Sequence, residues 1–422
     1  MKKTEQKYQT YVQILKEELI PAMGCTEPIS LAYGASLARK VLNHLPTKIV
    51  VEASGSIIKN VKSVIVPHTH HLKGIKAAVC AGIIGGNDDK YLEVLSQIDE
   101  KTKKEIDQYI EKVDFEEHFL DSSKVFDYII TVWNKKEYVK VRISDSHMHV
   151  VCIEKNGKIL QKEKSIIKKE KADRSLLDIK DIYDFITTVD LIDIQEILER
   201  QLDYNYAIAC AGLNDNYGAN IGKVLLKSFG NDVKNKAKAY AAAGSDARMN
   251  GCELPVVINS GSGNQGMTCS LPVIIYAQEL KVSKEKMFRA LALSNLVAIH
   301  EKSIGTLSAY CGAVSAATGA GAGIAYLYDE DYQAVIHTIV NTLANVSGIV
   351  CDGAKASCAA KIASSVDAAI LGYHMYKNGQ EFKSGDGLVM ENVEATIQSV
   401  GRLGREGMRE TNKEIIKMMI HE

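Results

Sequence analysis

The chain has 422 residues, with 51 Lys and Arg against 52 Asp and Glu and a formal net charge of −1. That balance offers no field for nucleic acid or an anionic membrane and suits a small neutral or zwitterionic ligand. The length exceeds one ordinary core, so two domains, or one with a large insertion, are expected. Nine cysteines are scattered through a chain that opens MKKTEQKY without the apolar stretch of a signal peptide. This predicts a reducing cytoplasm, where cysteines are thiols or metal ligands.

Residues 4–20 carry Tyr8, Tyr11, Val12, Leu15 and Leu19 at helical spacing and predict an amphipathic helix ending near Pro21. The next segment, PAMGCTEPISLAYGASLARKVL, places Thr26 as an N-cap with Glu27 and Pro28 in the first turn. Cys25 then sits beside a helix N-terminus, where unpaired N–H groups favour a thiolate; a small residue in a tight turn is the alternative. TKIVVEAS (47–54) and VKSVIVP (61–67) read as strands separated by GSIIKN, and HTHH (68–71) as a solvated turn more readily than a metal site. LKGIKAAVCAGIIGG (72–86) is an apolar helix.

Charge becomes dense from Asn87 to about Lys180. After helices near 90–112, FEEHFL, DYIITVW, EYVKVRIS, HVVCIEK and KILQKEK alternate at the strand period, predicting an antiparallel sheet with one wet face. Nothing in this block, which closes at KKEKADR (168–174), suggests chemistry. From 175 onward helices dominate, with segments near 175–200, 201–228, 231–249, 264–280, 283–300, 311–328, 331–347, 353–377, 391–403 and 405–421. The long uncharged runs Leu254–Gln278, Ser303–Tyr328 and Tyr332–Cys351 hold too much Gly, Ser, Asn and Gln for spanning helices and read as buried helices instead.

Three features in this half bear on chemistry. In ELPVVINSGSGNQGMTCSLPV, Ser260, Ser262, Asn264 and Gln265 with three glycines form a small polar loop ahead of a helix, able to receive a carboxylate or simply to turn tightly. Asp246 and Arg248 in SDARMNG, and His300, Glu301 and Lys302 in IHEKSIG, are candidate proton shuttles or carboxylate clamps. Within Ser303–Ser364, Cys311 opens CGAVSAATGAGAGIAYL while Cys351 and Cys358 lie in GIVCDGAKASCAAK. Three thiolates suit a [4Fe–4S] cluster with one iron left open to substrate. The spacing C-x39-C-x6-C is no standard ferredoxin or zinc pattern, and buried structural cysteines remain the alternative. Cys80, Cys152, Cys210, Cys252 and Cys269 read as structural.

MGCTEP, SGSGNQG, CGAVSAATGAGAG and CDGAKASC, in that order, resemble the L-cysteine desulfidase family, relatives of the iron–sulfur L-serine dehydratase alpha chain. The resemblance runs from about residue 20 to the end and is weakest over 87–200. It implies an oxygen-sensitive, cluster-dependent, pyridoxal-phosphate-free lyase that converts L-cysteine to pyruvate, ammonia and sulfide. By motif, Cys311, Cys351 and Cys358 correspond to cluster ligands, and Cys25 to a cysteine that is either a further ligand or a catalytic thiolate. The expected chemistry is elimination at Cβ, with Cys25 as first candidate for the base and His300 or Glu27 behind it, and the 260–266 loop holding the carboxylate. An L-serine or other hydroxy-amino-acid dehydratase, and a non-enzymatic iron–sulfur redox sensor, are the rival readings. The expected fold is α+β: a part over 1–200 with strands at about 47–67 and 114–166, and an Ala/Gly-rich helical cluster-binding domain over 201–422. The expected partner is a small amino acid, with neither nucleic acid nor membrane, and homodimer formation left open.

Overall fold

The computed structural model describes residues 1–162, 171–304, 309–329 and 331–420. Residues 163–166 of the block predicted at 114–166, which include the last two of KILQKEK, residues 168–170 of KKEKADR, residues 305–308 and 330 of the Ser303–Ser364 stretch, and residue 421 of the segment predicted at 405–421 lie outside the described residues.

Helix α1 (Gln6–Glu18) seats Tyr8 and Tyr11 edge-on against Phe185, with the Tyr11 hydroxyl donating to the Leu176 carbonyl at 2.7 Å. Next come strand β1 (Pro21–Met23), helix α2 (Thr26–Leu42) and strand β2 (Lys48–Ala53). The segment 61–67 is not a strand. Helix α3 (Gly55–Val61) occupies what reads as a loop plus the strand's first residue, and 62–67 is a turn with one isolated bridge, Ile65 to Lys73. Val64 and Val66, both buried and two residues apart, imitate the strand period although the segment makes no strand of its own.

Helices α4 (Gly74–Gly85) and α5 (Glu100–Lys112) lead into strands β3 (Asp114–Phe119), β4 (Asp127–Asn134), β5 (Glu137–Ser144), β6 (Val150–Lys155) and β7 (Lys158–Lys162). They join β2 in one six-stranded sheet of order β3-β2-β4-β5-β6-β7. All neighbours are antiparallel except β2 and β3, which run parallel, with Val50 opposite Glu116 on one side and Thr131 on the other. One face carries Ile49, Val51, Tyr128, Ile130, Val139 and Val141 into the core, and α2 packs across β4 and β5. The expectation of an antiparallel sheet with one wet face therefore holds, with β2 drawn into its interior.

The rest is helical: α6 (Ile179–Thr188), α7 (Gln195–Asn214), α8 (Ile221–Phe229) and α9 (Val233–Met249), then strand β8 (Pro255–Val257), then α10 (Gly263–Glu279), α11 (Lys284–Ile304), α12 (Gly312–Asp329), α13 (Tyr332–Val346), α14 (Ser357–Lys377), α15 (Val393–Arg402) and α16 (Arg409–Ile420). The fold is α+β as expected. Helix α12 is surrounded by α10, α11, α13 and α14. Its small residues let those helices approach closely: a Cβ on Gly319 would overlap the Ser294 carbonyl of α11. Among the described residues no helix is long and apolar enough to cross a membrane.

From residue 175 onward the sequence shows no convincing parallel-strand alternation. The three-residue β8 is too short to show alternation, yet it pairs antiparallel with β1, Ala22 opposite Val256. The two strands leave this ribbon at opposite ends, Met23 opposite Pro255 and Pro21 opposite Val257, and the loop after β8 then folds back to the start of α2, where the Thr26 hydroxyl reaches the Gly261 carbonyl.

Candidate functional site

Cys25 is itself the N-cap residue of α2 and makes no side-chain capping bond, so Thr26 is the first helical residue and not the cap. The Cys25 thiol donates to Glu27 Oε2 at 3.2 Å, the Thr26 hydroxyl donates to the same oxygen at 3.1 Å, and Asn60 Nδ2 donates to Oε1 at 2.9 Å. Thr26 also reaches the Gly261 carbonyl at 3.0 Å, fastening this helix start to the loop after β8. Burial, and then the Glu27 charge, push the Cys25 thiol well above its ordinary value. The expected thiolate is therefore corrected: desolvation and a neighbouring carboxylate outweigh the helix N-terminus, and Cys25 is a protonated donor. Desolvation alone would raise Glu27, but the groups around it, the Cys25 hydrogen bond and Arg248 among them, reverse this and hold its carboxyl below the ordinary range.

The loop from Asn259 to Gly266 closes through reciprocal backbone bonds between Asn259 and Ser262, at 3.1 and 3.0 Å. The Ser260 hydroxyl donates to Asn259 Oδ1 at 2.8 Å, and the Ser262 hydroxyl accepts from Gln265 N as the N-cap of α10. Both serines thus shape the loop. Asn264 Oδ1 accepts from Arg248 Nη1 at 3.1 Å. Gln265 lies against Gly312, where an added Cβ would come within 2.7 Å of its amide carbon. The loop therefore abuts the residue next to Cys311.

Cys311 N donates to the Ile349 carbonyl at 3.0 Å and Cys351 N to the Ala309 carbonyl at 2.6 Å, around a bridge between Tyr310 and Val350. Cys358, in the first turn of α14, points its sulfur toward the Gly353 carbonyl at 3.6 Å. Burial, followed by Cys351, pushes the Cys311 thiol up to about 12, and Cys358 is raised by burial and by Cys351. The three thiols thus lie within electrostatic reach of one another. Among the described residues no three His, Cys, Asp or Glu side chains are grouped to hold a single metal ion. Three thiols within electrostatic reach of one another are the donor chemistry an iron–sulfur group requires. Lys302 links the two halves of the site, since Cys351, Cys311, Glu27 and Lys59 all lie within its electrostatic reach. Lys59 reaches the Cys351 carbonyl at 3.4 Å.

Other candidates are placed elsewhere. His300 Nε2 lies 2.8 Å from Glu394 Oε2, and the other oxygen of Glu394 accepts from Ile179 N, so this histidine joins α11 to α15 and α6. Asp246 accepts from Ile221 N at 2.7 Å and caps α8. His68 contacts the Met23 sulfur at 3.0 Å, and His70 pairs with Asp107 at the surface.

The sequence analysis misses His147. It sits between β5 and β6, in the block where the sequence suggests no chemistry. Its ring packs edge-on against Phe126 at 4.7 Å and lies against Gly261 of the polar loop, while its backbone carbonyl accepts from the Ser30 hydroxyl at 2.5 Å. Nε2 is buried and has no hydrogen-bond partner. Burial holds the imidazole below its ordinary value despite the pull of Glu27, leaving it neutral. Its only sequence signal is a histidine in a turn, which is commonplace.

Residues 89–417 match the family model described as the serine dehydratase alpha chain. Over 425 aligned positions the chain is 56% identical to a UPF0597 protein of Desulfitobacterium hafniense, covering 100% of this chain and 99% of that one. It is 50% identical to a UPF0597 protein of Lachnoclostridium phytofermentans (98% and 100% covered) and 44% identical to one of Treponema denticola (98% and 98%).

Proposed function

We propose, on the premise that the chain belongs to the serine dehydratase alpha chain family, that it is a pyridoxal-phosphate-independent lyase eliminating sulfide from L-cysteine to give pyruvate, ammonia and hydrogen sulfide. The observation that carries this reading is the contact of Gln265 with Gly312, which sets the polar loop against the cysteine trio. Cys311, Cys351 and Cys358 would hold a [4Fe–4S] cluster, which when bound supplies a Lewis-acidic iron to the leaving group.

The chain's own residues supply binding and proton transfer. Asn264, Gln265 and Arg248 face the amino-acid end of the substrate. The Cα proton needs an acceptor that is unprotonated and unengaged. Cys25 holds its proton, and Glu27 is a carboxylate already accepting from Cys25, Thr26 and Asn60. His147 is neutral with a vacant Nε2 and is the better base. As His147 takes the proton, the Cα–H electron pair becomes the Cα=Cβ bond and the Cβ–S pair leaves with sulfide. The aminoacrylate tautomerises to an imine, adds water and releases ammonia and pyruvate. The Glu27 carboxylate stabilises the imidazolium formed on His147.

The matched family's description favours a second reading, L-serine with hydroxide leaving by the same route. Anaerobic purification, a count of iron and acid-labile sulfide, and pyruvate assays on both amino acids test the proposal. About four irons per chain and faster turnover of L-cysteine are expected; faster turnover of L-serine would select the second reading, and pyruvate from neither would overturn both.

A further inference from the structure

We propose that Arg248 and Gln265 form a clamp for a free α-amino acid zwitterion, with the α-carboxylate on Arg248 and the α-ammonium on the Gln265 side-chain carbonyl. This rests on the lyase reading for the place of the site, but only binding is claimed.

The two side chains carry complementary vacancies. Arg248 is 2% exposed, the largest fully buried side chain of the chain. One guanidinium nitrogen reaches Asn264 Oδ1 at 3.1 Å and the Met249 sulfur at 3.4 Å, while Nε is buried without an acceptor. Among the described residues no carboxylate forms an ion pair with it; Glu27 acts on the same environment from further off, with both oxygens engaged. Burying a guanidinium without a partner anion is costly, and the planar fork matches a carboxylate. Gly263 lets the guanidinium lie where it does, since a Cβ there would overlap it.

Gln265, two residues along, is 6% exposed, and its Oε1 is buried without a donor. An acceptor left empty in a buried site is costly for the same reason, and an ammonium group satisfies it. An orphaned donor and an orphaned acceptor at one helix start require a ligand with both an anion and a donor. A 2-oxo acid or a plain carboxylate answers only the first; an amine answers only the second. The N-terminus of α10, capped at Gln265 N by Ser262, adds its partial positive charge on the carboxylate side.

The test is calorimetric titration of the anaerobically prepared full-length protein with L-alanine, which has the zwitterion but no leaving group, and with propanoate and ethylamine, which each lack one end. L-Alanine is expected to bind about 10–100-fold more tightly than either fragment, the range of a charged hydrogen bond lost at a buried site. R248K is expected to weaken L-alanine by a similar factor, and Q265A to bring L-alanine and propanoate to near equality. Propanoate binding wild type as well as L-alanine does, no L-alanine binding at all, or undiminished L-alanine binding by R248K would each overturn the clamp. Because the fragment comparison uses wild type, a variant that fails to fold leaves the answer intact. Arg248-dependent L-alanine binding in a protein that makes no pyruvate from cysteine or serine would retire the lyase reading and keep the clamp.

Discussion

The Ser30 hydroxyl donates to the His147 carbonyl at 2.5 Å and lies 3.0 Å from the Tyr128 hydroxyl, so the turn between β5 and β6 is stapled to the helix that begins beside Cys25. A residue of the sheet is thereby fixed over the polar loop. If His147 takes the Cα proton, H147Q should lower kcat by roughly 10²–10⁴-fold, the range of a lost general base, with L-alanine affinity little changed. Burial lowers its pKa, so the acid limb of kcat/KM should fall below the ordinary histidine value, because protonation there abolishes the base. H147Q should remove that limb. A variant with wild-type turnover, or with the limb unmoved, would make His147 a packing residue.

Cys25 is a thiol donating to Glu27, and its two replacements separate that role from metal ligation. Serine keeps a donor of similar reach, so C25S should leave the resting spectrum of the cluster-loaded protein unaltered and cost activity less than about 10-fold, whereas C25A, leaving a lone pair of Glu27 empty, should cost about 10-fold or more. A resting spectrum altered by C25S before substrate is added would make Cys25 a ligand instead.

Much of the helical half is legible in the sequence because its elements are long and their signals local. Ser262 as a cap, the apolar run of α10 and the small-residue surface of α12 are all readable one element at a time. The site is less so. Strands β1 and β8, of three residues each, are too short for any periodicity, and the bond from Thr26 to the Gly261 carbonyl that fastens the start of α2 to the polar loop spans more than 200 positions. Val64 and Val66 show the opposite failure, a strand-like spacing produced by burial alone. His147 meets Gly261 from more than 100 positions away, and although Arg248 and Gln265 are closer in sequence, their vacancies arise only in the packed fold, so no local pattern encodes them. The thiolate expectation failed for a related reason: helix position is local, whereas the desolvation that decides the Cys25 proton comes from the whole fold.

Cys311, Cys351 and Cys358 interact electrostatically with one another, while Cys152 and Cys210 lie on the sheet and on α7. Serine at any one of the first three should lower the iron retained after anaerobic reconstitution and bleach the visible absorbance, because hydroxyl is a poor substitute for thiolate at iron. C152S and C210S should retain wild-type iron. Equal iron in all five variants would remove the trio as ligands.

Asp246 lies in the same short motif as Arg248 but turns its carboxylate away to accept from Ala219 N and Ile221 N at the start of α8. Burial raises its pKa from 3.8 to about 6, despite those two hydrogen bonds. Between these two values the folded chain holds a proton that the unfolded chain has released. The stabilising contribution of this group is therefore complete below pH 3.8 and is lost as pH rises through about 6. Asparagine is neutral in both states and keeps one acceptor for Ile221, so D246N should abolish this slope while preserving most of the cap. The unfolding free energy of wild type minus that of D246N should then be larger at a pH near 4.5 than near 7.5, by on the order of 1–3 kcal/mol given about 1.4 kcal/mol per pKa unit. Urea unfolding of both proteins at the two pH values measures it. A difference that stays constant, or that grows with pH, would show that the two backbone donors dominate and that Asp246 is ionised throughout.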